Sequence, residues 1–150
     1  MYKVSRRAWY MIVKIATSPS DFGKVFTLRF KVFTLEQGFK EEIEIDENDD
    51  LAMHLLVDAG TIAAATLRLF RNGDDIMLGR MAVAREFRNT GMGRALVKRA
   101  IQEARKLGGQ FLVAHAQVQA LGFYEKVGFE RFGVEFNEDG IPHQLVKLKL

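Results

Sequence analysis

Residues 76–108 constrain the fold most, because they read as a strand, a glycine-containing turn and a helix in direct succession. The first part is an apolar run that ends at Met81-Ala82-Val83, which is typical of a strand buried in a sheet. Over residues 91–107 apolar side chains recur at helical spacing, and Gly108-Gly109 predicts the end of the helix. The chain therefore contains a buried strand that leads directly into an amphipathic helix.

The turn between this strand and this helix has the composition of an anion site. Free N–H groups point out of a helix N-terminus, and the helix dipole adds positive potential there. Gly91 and Gly93 would let a ligand approach the backbone closely, and Arg88 and Arg94 add full charges. The turn is thus a candidate site for phosphate or pyrophosphate. The same residues would also suit a tight turn that needs a glycine for its geometry alone.

Two familiar phosphate loops are excluded. The string G-x-x-x-x-G-K-[ST] does not occur, so the chain has no P-loop. The dinucleotide fingerprint needs a third glycine or an alanine, whereas Gly91-Met92-Gly93 is followed by Arg94, Ala95 and Leu96. The acidic residue expected about 20 positions further on is also missing.

A different pattern, [RQ]-x-x-G-x-[GA] after an apolar strand, does fit Arg88-Asn89-Thr90-Gly91-Met92-Gly93. This resembles the coenzyme A loop of the GNAT acetyltransferase superfamily. Residues 120–129 (ALGFYEKVGF) resemble the downstream A-x-x-F-Y-x-x-x-G-F motif of the same superfamily. More loosely, Leu28-Arg29, Val32-Phe33, Glu36-Gln37, Asp46, His54 and residues 138–143 (EDGIPH) resemble the ElaA-type branch.

The resemblance implies one N-acetyltransferase domain over residues 1–150. Its fold would be α/β, with a mixed, mostly antiparallel central sheet of six to seven strands flanked by helices and a splayed parallel pair at the CoA site. The pantetheine arm would lie between the splayed strands as a pseudo-strand. The implied cofactor-binding residues are Met81, Ala82, Val83, Arg88, Asn89, Thr90, Gly91, Met92, Gly93, Arg94 and Tyr124.

The implied reaction is transfer of an acetyl group from acetyl-CoA to a primary amine, by direct attack in a ternary complex. The chain has no cysteine, so an acyl-enzyme intermediate on a cysteine thiol is excluded. Tyr124 occupies the motif tyrosine and is the candidate acid for the departing thiolate; alternatively it is a half-buried aromatic with a hydrogen-bonded hydroxyl. His143 is the candidate base or substrate residue. His115 lies inside a predicted strand and is interpreted as a core histidine.

Five further residues match the same branch and are candidates for contacting the acceptor. Arg29 lies at the edge of an apolar helix face, where it would otherwise extend its charged end to water. Lone carboxylates in a charged stretch are usually solvated, which is the alternative for the acidic members. The five are Arg29, Glu36, Gln37, Asp46 and His54. Where many relatives carry asparagine after the splayed strand, this chain offers Gln117 and Gln119.

Charge is unevenly distributed although the net charge is only +3. Residues 41–50 (EEIEIDENDD) are acidic and residues 85–106 are basic. Both stretches could be solvated surface, or the basic one could face an anionic cofactor while the acidic one attracts an amine. The aromatic RNA-binding strand pattern is absent, and the acidic stretch would repel a nucleic acid, so no nucleic-acid partner is expected.

Other classes of protein are also disfavoured. Three scattered histidines and no cysteine make a metal site unexpected. No apolar run reaches about 18 residues, so no transmembrane helix or membrane partner is expected. Residues 1–10 lack a following apolar region and cleavage signal, which makes the cytoplasm the expected location.

Capping and turn residues along the chain predict the remaining elements. Ser18 and Asp21 form a capping box for a helix that ends at Gln37-Gly38, and Asn89 or Thr90 is predicted to cap the later helix. Asn72-Gly73 predicts a hairpin. Strands are predicted over residues 8–16, 52–58, 61–70, 76–83, 111–116, 129–136 and 144–150, and a short helix over residues 118–127.

The order of these elements predicts the sheet. The first four strands should be antiparallel, and the strands at residues 76 and 111 should be parallel with a right-handed crossover. An edge strand near Val146 would either pair across a dimer or face water, so a monomer and a homodimer both remain open. A domain that binds CoA or another phosphorylated ligand without catalysis is the alternative function.

Overall fold

The computed structural model describes the backbone of residues 11–150, and the side chains of these residues except Glu42 and Ile43. The strands are β1 (Ile12–Ile15), β2 (Met53–Asp58), β3 (Ala63–Asn72), β4 (Asp75–Val83), β5 (Phe111–Gln117), β6 (Glu130–Glu138) and β7 (Ile141–Lys149). The helices are α1 (Pro19–Arg29), α2 (Glu41–Glu44), α3 (Asn48–Leu51), α4 (Met92–Lys106) and α5 (Leu121–Val127). A π-helix (Phe30–Glu36) continues α1, and 3₁₀ turns occupy Arg85–Phe87 and Val118–Ala120. No helix within residues 11–150 has the length and apolar character needed to cross a membrane.

The strands form one seven-stranded sheet in the order β1-β2-β3-β4-β5-β7-β6. The first four strands are antiparallel, and β4 and β5 are parallel, as predicted. The predicted mixed α/β fold is therefore confirmed. The prediction of an edge strand near Val146 is wrong: β7 lies between β5 and β6, and Val146 is fully buried. Strand signals give the chain order of the last hairpin, but not which of its strands packs inward.

Helices cover both faces of the sheet. Successive residues of a strand face opposite sides, and Leu55 and Leu56 of β2 accordingly belong to different core clusters. Leu55 packs in the cluster that contains Leu96, Val97 and Ala100 of α4. Leu56 packs in the cluster that contains Val25 and Leu28 of α1. The sheet is thus buried between α1 and α4, which fixes both helices relative to β4.

The start of α1 follows the predicted capping box. Ser18 Oγ accepts a hydrogen bond from the Asp21 N–H at 3.1 Å, and the Asp21 carboxylate accepts one from the Ser18 N–H at 3.3 Å. The π-helix extends the helical segment to Glu36, which agrees with the predicted end at Gln37-Gly38. Part of the predicted first strand lies outside the described residues; the described part begins at Ile12.

The acidic residues 41–50 fold into α2 and α3 and are held by arginines from the body of the protein. Arg29 Nε lies 2.5 Å from Glu44 Oε1, and Arg29 Nη1 lies 2.7 Å from Asp49 Oδ1. Arg68 of β3 donates to the same Asp49 oxygen at 2.8 Å. The Arg29 side chain is only 1% exposed, so its charge is compensated by these carboxylates and not by water.

The charge state of Asp49 follows from the same contacts. Burial opposes ionisation, but the hydrogen bonds from Arg29 and Arg68 outweigh it and hold the pKa of Asp49 well below its usual range. Asp49 is therefore ionised throughout the neutral range. The ion pairs, and not solvation, determine how this acidic segment lies on the protein.

Asp49→Asn is expected to lower the free energy of unfolding by about 3 kcal/mol at pH 7, because two buried guanidinium groups lose a shared negative charge. Urea denaturation measures this change. Asp50→Asn is the matched control, since Asp50 is exposed on the same helix and has no ion pair within residues 11–150. The control is expected to stay within about 0.5 kcal/mol of the parent.

The pH dependence gives a second readout of the same change. A depressed folded-state pKa contributes stability that is complete above the unfolded value of about 3.9 and is lost as the pH falls below it. The difference between parent and Asp49→Asn should therefore shrink as the pH is lowered from about 5 to about 2. A difference that stays constant over this range contradicts the assigned ion pairs.

Candidate active site

The sheet opens between β4 and β5. These strands pair only through Ile76, Met77 and Leu78, opposite Leu112, Val113 and Ala114. Beyond that point β4 continues along β3, whereas β5 continues along β7. Residues 79–83 of β4 thus keep a strand partner on one side and have none on the other within the described part of the chain.

A β-bulge lies at the opening. Thr66 pairs with Ala82 and Arg68 pairs with Gly79, so Leu67 faces both Arg80 and Met81. Arg80 has a φ of 49°, which is the left-handed region. Bulges increase the local twist and disrupt pairing. The bulge therefore marks the place where β4 diverges from the parallel register that it shares with β5.

A cavity of about 780 Å³ occupies the opening. Its walls come from residues 79–83 of β4, the end of β5, the π-helix, the acidic segment and the β6–β7 hairpin. Val32, Phe33 and Leu78 make part of the wall apolar, while arginine and carboxylate side chains make the rest polar. This size and this mixture are typical of a small-molecule or cofactor site.

The turn of residues 88–94 leads from the end of β4 into α4. Gly91 caps the helix with a φ of 84°, so the predicted cap at Asn89 or Thr90 is wrong. The Thr90 hydroxyl instead donates to the Phe87 carbonyl. The first helical hydrogen bond runs from the Ala95 N–H to the Gly91 carbonyl at 3.0 Å. The N–H groups of Met92, Gly93 and Arg94 therefore precede the helical ladder, as an anion site requires.

Gly93 sets the distance between α4 and β4. A Cβ atom at this position would lie 3.1 Å from Met81 Cε and 3.3 Å from Val83 Cγ2. The absence of a side chain thus lets the helix N-terminus lie directly against the unpaired part of β4. A ligand that runs along β4 would reach the turn at this end.

Arg88 lies in the cavity wall between β4 and the π-helix. Its Nε donates to the Val83 carbonyl at 3.1 Å, and its Nη2 donates to Glu36 Oε2 at 2.8 Å. The side chain is 39% exposed, so its charge is accessible from the cavity. Asn89, Thr90, Gly91, Met92, Gly93 and Arg94 follow it in the turn.

Tyr124 of α5 lines the same cavity and is 7% exposed. Its hydroxyl lies 3.8 Å from Met81 Sδ, and its ring meets Phe123 and Phe129 edge-on with centroids 5.3 Å away. Burial raises the pKa of the Tyr124 phenol. A neutral O–H group is thus placed beside the unpaired part of β4.

Two histidines and a carboxylate form a second polar cluster in the cavity. His115 Nδ1 lies 2.9 Å from Glu138 Oε1, and His143 Nε2 lies 3.4 Å from Glu138 Oε2. His143 Nδ1 lies 2.7 Å from the Ile141 carbonyl, which can only accept, so Nδ1 carries a proton. The interpretation of His115 as a core residue is wrong, because its side chain is 42% exposed.

The hydrogen bond from His115 lowers the pKa of Glu138; burial opposes this, and the charge of Arg80 adds to the lowering. Glu138 had no role in the sequence interpretation. Its position two residues before Gly140 in the resembled EDGIPH string was the available signal. Only the hairpin between β6 and β7 shows that it faces both histidines.

The five residues predicted to contact the acceptor amine separate into two groups. Glu36, Gln37 and Asp46 line the cavity. Gln37 Oε1 accepts from Gln117 Nε2 at 2.9 Å, and Gln119 donates to Gln117 at 2.6 Å, so glutamines bridge the π-helix and the end of β5.

Arg29 and His54 do not line the cavity. Arg29 is enclosed by Glu44 and Asp49, and a side chain that is 1% exposed cannot reach an acceptor. His54 is 3% exposed, packs against aromatic rings of α1, and donates from Nε2 to the Asp49 carbonyl at 3.0 Å. Both residues support the acidic segment from behind.

Two cavity arginines were missed from the sequence. Arg68 donates to Asp46 at 2.6 Å, and Arg80 lies 3.2 Å from Asp46 and 3.7 Å from Glu44. A charged residue inside each of two apolar strands was the signal that could have identified them. Among the side chains that the structure describes, no group of three or more His, Cys, Asp or Glu has an arrangement that could hold a metal ion.

Comparison with known proteins places this chain in a family. Residues 18–150 match the family model of the acetyltransferase (GNAT) domain. The Bacillus subtilis (strain 168) protein "Uncharacterized N-acetyltransferase YjcF" is 31% identical over 135 residues, which cover 89% of this chain and 96% of that protein. Escherichia coli ElaA is 26% identical over 142 residues, covering 90% of this chain and 92% of ElaA.

Solved structures agree with the fold. The crystal structure of Escherichia coli ElaA aligns with a TM-score of 0.80 at 22% identity, covering 91% of this chain and 98% of that one. A Bacillus subtilis acetyltransferase solved in complex with CoA aligns with a TM-score of 0.70 at 20% identity, covering 93% of this chain and 99% of that one. The resemblance drawn from the two sequence motifs is confirmed.

Gly91→Ala is expected to lower the free energy of unfolding by about 1 kcal/mol, because a φ of 84° strains any residue with a Cβ atom. Gly23→Ala, inside α1 and also without neighbours within 4 Å of its Cβ position, should instead raise it by about 0.5 kcal/mol. Urea denaturation of both variants distinguishes the two signs. Equal effects would contradict the left-handed cap.

Proposed function

The chain belongs to the GNAT acetyltransferase family, and on that basis we propose that it transfers an acetyl group from acetyl-CoA to a primary amine by direct attack in a ternary complex. The observation that carries the proposal is the unpaired part of β4, residues 79–83, which faces a cavity of about 780 Å³. Tyr124 lies at this strand, and the N-terminus of α4 lies at its end. Acetyl-CoA needs these three features in this order: a strand edge for the pantetheine arm, an O–H group at the thioester and a helix N-terminus for the phosphates.

The pantetheine arm has amide groups that pair with a free strand edge as a peptide does. Met81, Ala82 and Val83 supply that edge on β4. The pyrophosphate then binds at the α4 N-terminus, through the N–H groups of residues 92–94 and the charges of Arg88 and Arg94. A Bacillus subtilis acetyltransferase of like fold was solved in complex with CoA, which supports CoA as the cosubstrate.

The chemistry needs three groups: a donor for the oxyanion, an acid for the thiolate and a base for the amine. The amine nitrogen attacks the thioester carbonyl, and a backbone N–H of residues 81–83 stabilises the tetrahedral oxyanion. As the carbon–sulfur bond breaks, Tyr124 donates its proton to the developing thiolate, and the second proton that the nitrogen loses restores the phenol. The raised pKa of Tyr124 keeps the phenol protonated at the pH values where amines become neutral.

His143 is the proposed acceptor of the amine proton. Because its Nδ1–H is held by the Ile141 carbonyl, Nε2 is the nitrogen that can accept a proton in the neutral ring. Glu138 lies 3.4 Å from Nε2 and would stabilise the imidazolium that forms. Glu36, Gln37 and Asp46 line the acceptor side of the cavity.

Arg94→Glu is expected to weaken acetyl-CoA binding about tenfold or more, because it reverses the charge beside the pyrophosphate. Glutamate is favourable in the first turn of a helix, so α4 should persist. Lys98→Glu makes the same charge change one turn later on the exposed face and should bind within about twofold of the parent. The shift of the thermal unfolding midpoint with acetyl-CoA concentration measures binding. Identical shifts in all three proteins would contradict the assigned turn.

Tyr124→Phe is expected to lower kcat about 100-fold or more while the KM for acetyl-CoA changes little, because only the donor O–H is removed. Thiol release with a panel of primary amines measures the reaction, and an unchanged unfolding midpoint controls for folding. An unchanged kcat would remove Tyr124 from the mechanism. A parent that binds acetyl-CoA but releases no thiol with any amine would favour the non-catalytic alternative.

A further inference from the structure

The carboxylates that line the cavity differ in how they are neutralised. Three of them are bound by arginines: Glu36 by Arg88, Glu44 by Arg29 and Arg80, and Asp46 by Arg68 and Arg80. Glu138 and Asp139 also line the cavity and have no lysine or arginine within ion-pair distance among residues 11–150. Among residues 11–150, negative charge that no arginine or lysine pairs with is therefore concentrated at the end of β6.

Glu138 is held in position without being neutralised by a permanent cation. Its two oxygens face His115 and His143, at 2.9 Å and 3.4 Å. A carboxylate has about four acceptor positions, so these two contacts leave room for further donors. The lowered pKa of Glu138 keeps it ionised in the neutral range, and its side chain is 39% exposed.

The ion pairs made by the cavity arginines also favour a positively charged acceptor. Each of Arg68, Arg80 and Arg88 already holds a carboxylate of this chain. A carboxylate on the acceptor would have to displace one of these ion pairs. A positively charged acceptor would meet Glu138 without displacing any of them.

We propose that Glu138 binds a second ammonium group of the acceptor, so that the substrates are diamines or longer polyamines that lack a carboxylate. The reacting nitrogen has to lose a proton to His143 before it attacks, whereas a second ammonium group keeps its charge. A carboxylate that stays ionised therefore suits an ammonium that keeps its charge throughout the reaction. This inference rests on the proposed amine acetyltransfer and specifies its acceptor.

The test compares three ligands of equal chain length that differ only at one end: 1,5-diaminopentane, 5-aminopentan-1-ol and 5-aminopentanoate. Each is titrated calorimetrically into the protein saturated with CoA, so that the readout is binding and does not need turnover. The diamine is expected to bind about tenfold or more tightly than the amino alcohol. The amino acid is expected to bind most weakly.

Glu138→Gln is the decisive variant, because it removes the charge and keeps the shape. Diamine affinity is expected to fall about tenfold or more, and by more than amino alcohol affinity falls. Glu135→Gln is the matched control: it lies on the same strand, is exposed, and makes no ion pair among the described residues. It should bind all three ligands as the parent does.

Two outcomes overturn the proposal: a parent that binds the diamine no more tightly than the amino alcohol, or a folded Glu138→Gln variant that retains the preference. If that variant does not fold, the parent's order of affinities alone decides. Different results would refute the proposed acetyl transfer. Diamine binding that depends on Glu138, without thiol release from acetyl-CoA, would refute the transfer and keep the anchor. Thiol release by a parent that binds the diamine no more tightly than the amino alcohol would refute the anchor and keep the transfer.

Discussion

The divergence of β4 from β5 after Leu78 is the constraint on which the rest of the structure depends. A parallel pair normally keeps its ladder closed, because unpaired backbone groups inside a protein are costly. Here each strand retains one partner, β3 for β4 and β7 for β5, so the sheet stays continuous while its middle opens. The bulge at Arg80 and Met81 supplies the local twist. A ligand with peptide-like groups can then complete the pairing that the protein leaves unmade.

The cavity needs walls that keep it open and limit the access of water, and ion pairs hold part of these walls in place. The acidic segment is too polar to pack as a core, yet Arg29, Arg68 and Arg80 hold it over one side of the cavity. Buried guanidinium groups need these carboxylates as much as the carboxylates need them. One consequence is electrostatic: most charges of the cavity are satisfied within the chain. Among the described residues, Arg94 at the start of α4 and Glu138 at the end of β6 have no ion pair with a carboxylate, a lysine or an arginine.

Much of the fold, including the glycine turn that leads into α4, was predictable from the sequence, because those features are local. The capping box at Ser18, the parallel pair around residues 76 and 111, and the glycine turn each follow from neighbouring residues. The acceptor end was less predictable. Arg29, His54 and His115 were interpreted from their positions in single elements. Their actual surroundings depend on how the acidic segment and the β6–β7 hairpin fold back onto the sheet.

The sequence by itself determined the family, the α/β class and the glycine turn before α4, since spacing and glycine placement encode backbone geometry directly. Tertiary structure alone decided that β7 lies inside the sheet, that Gly93 brings α4 against β4, and which carboxylates are already neutralised. The physical reason is that charge compensation links residues distant in the chain, such as Arg80 and Asp46 or His115 and Glu138. No local pattern records which partner a side chain will meet once the chain has folded.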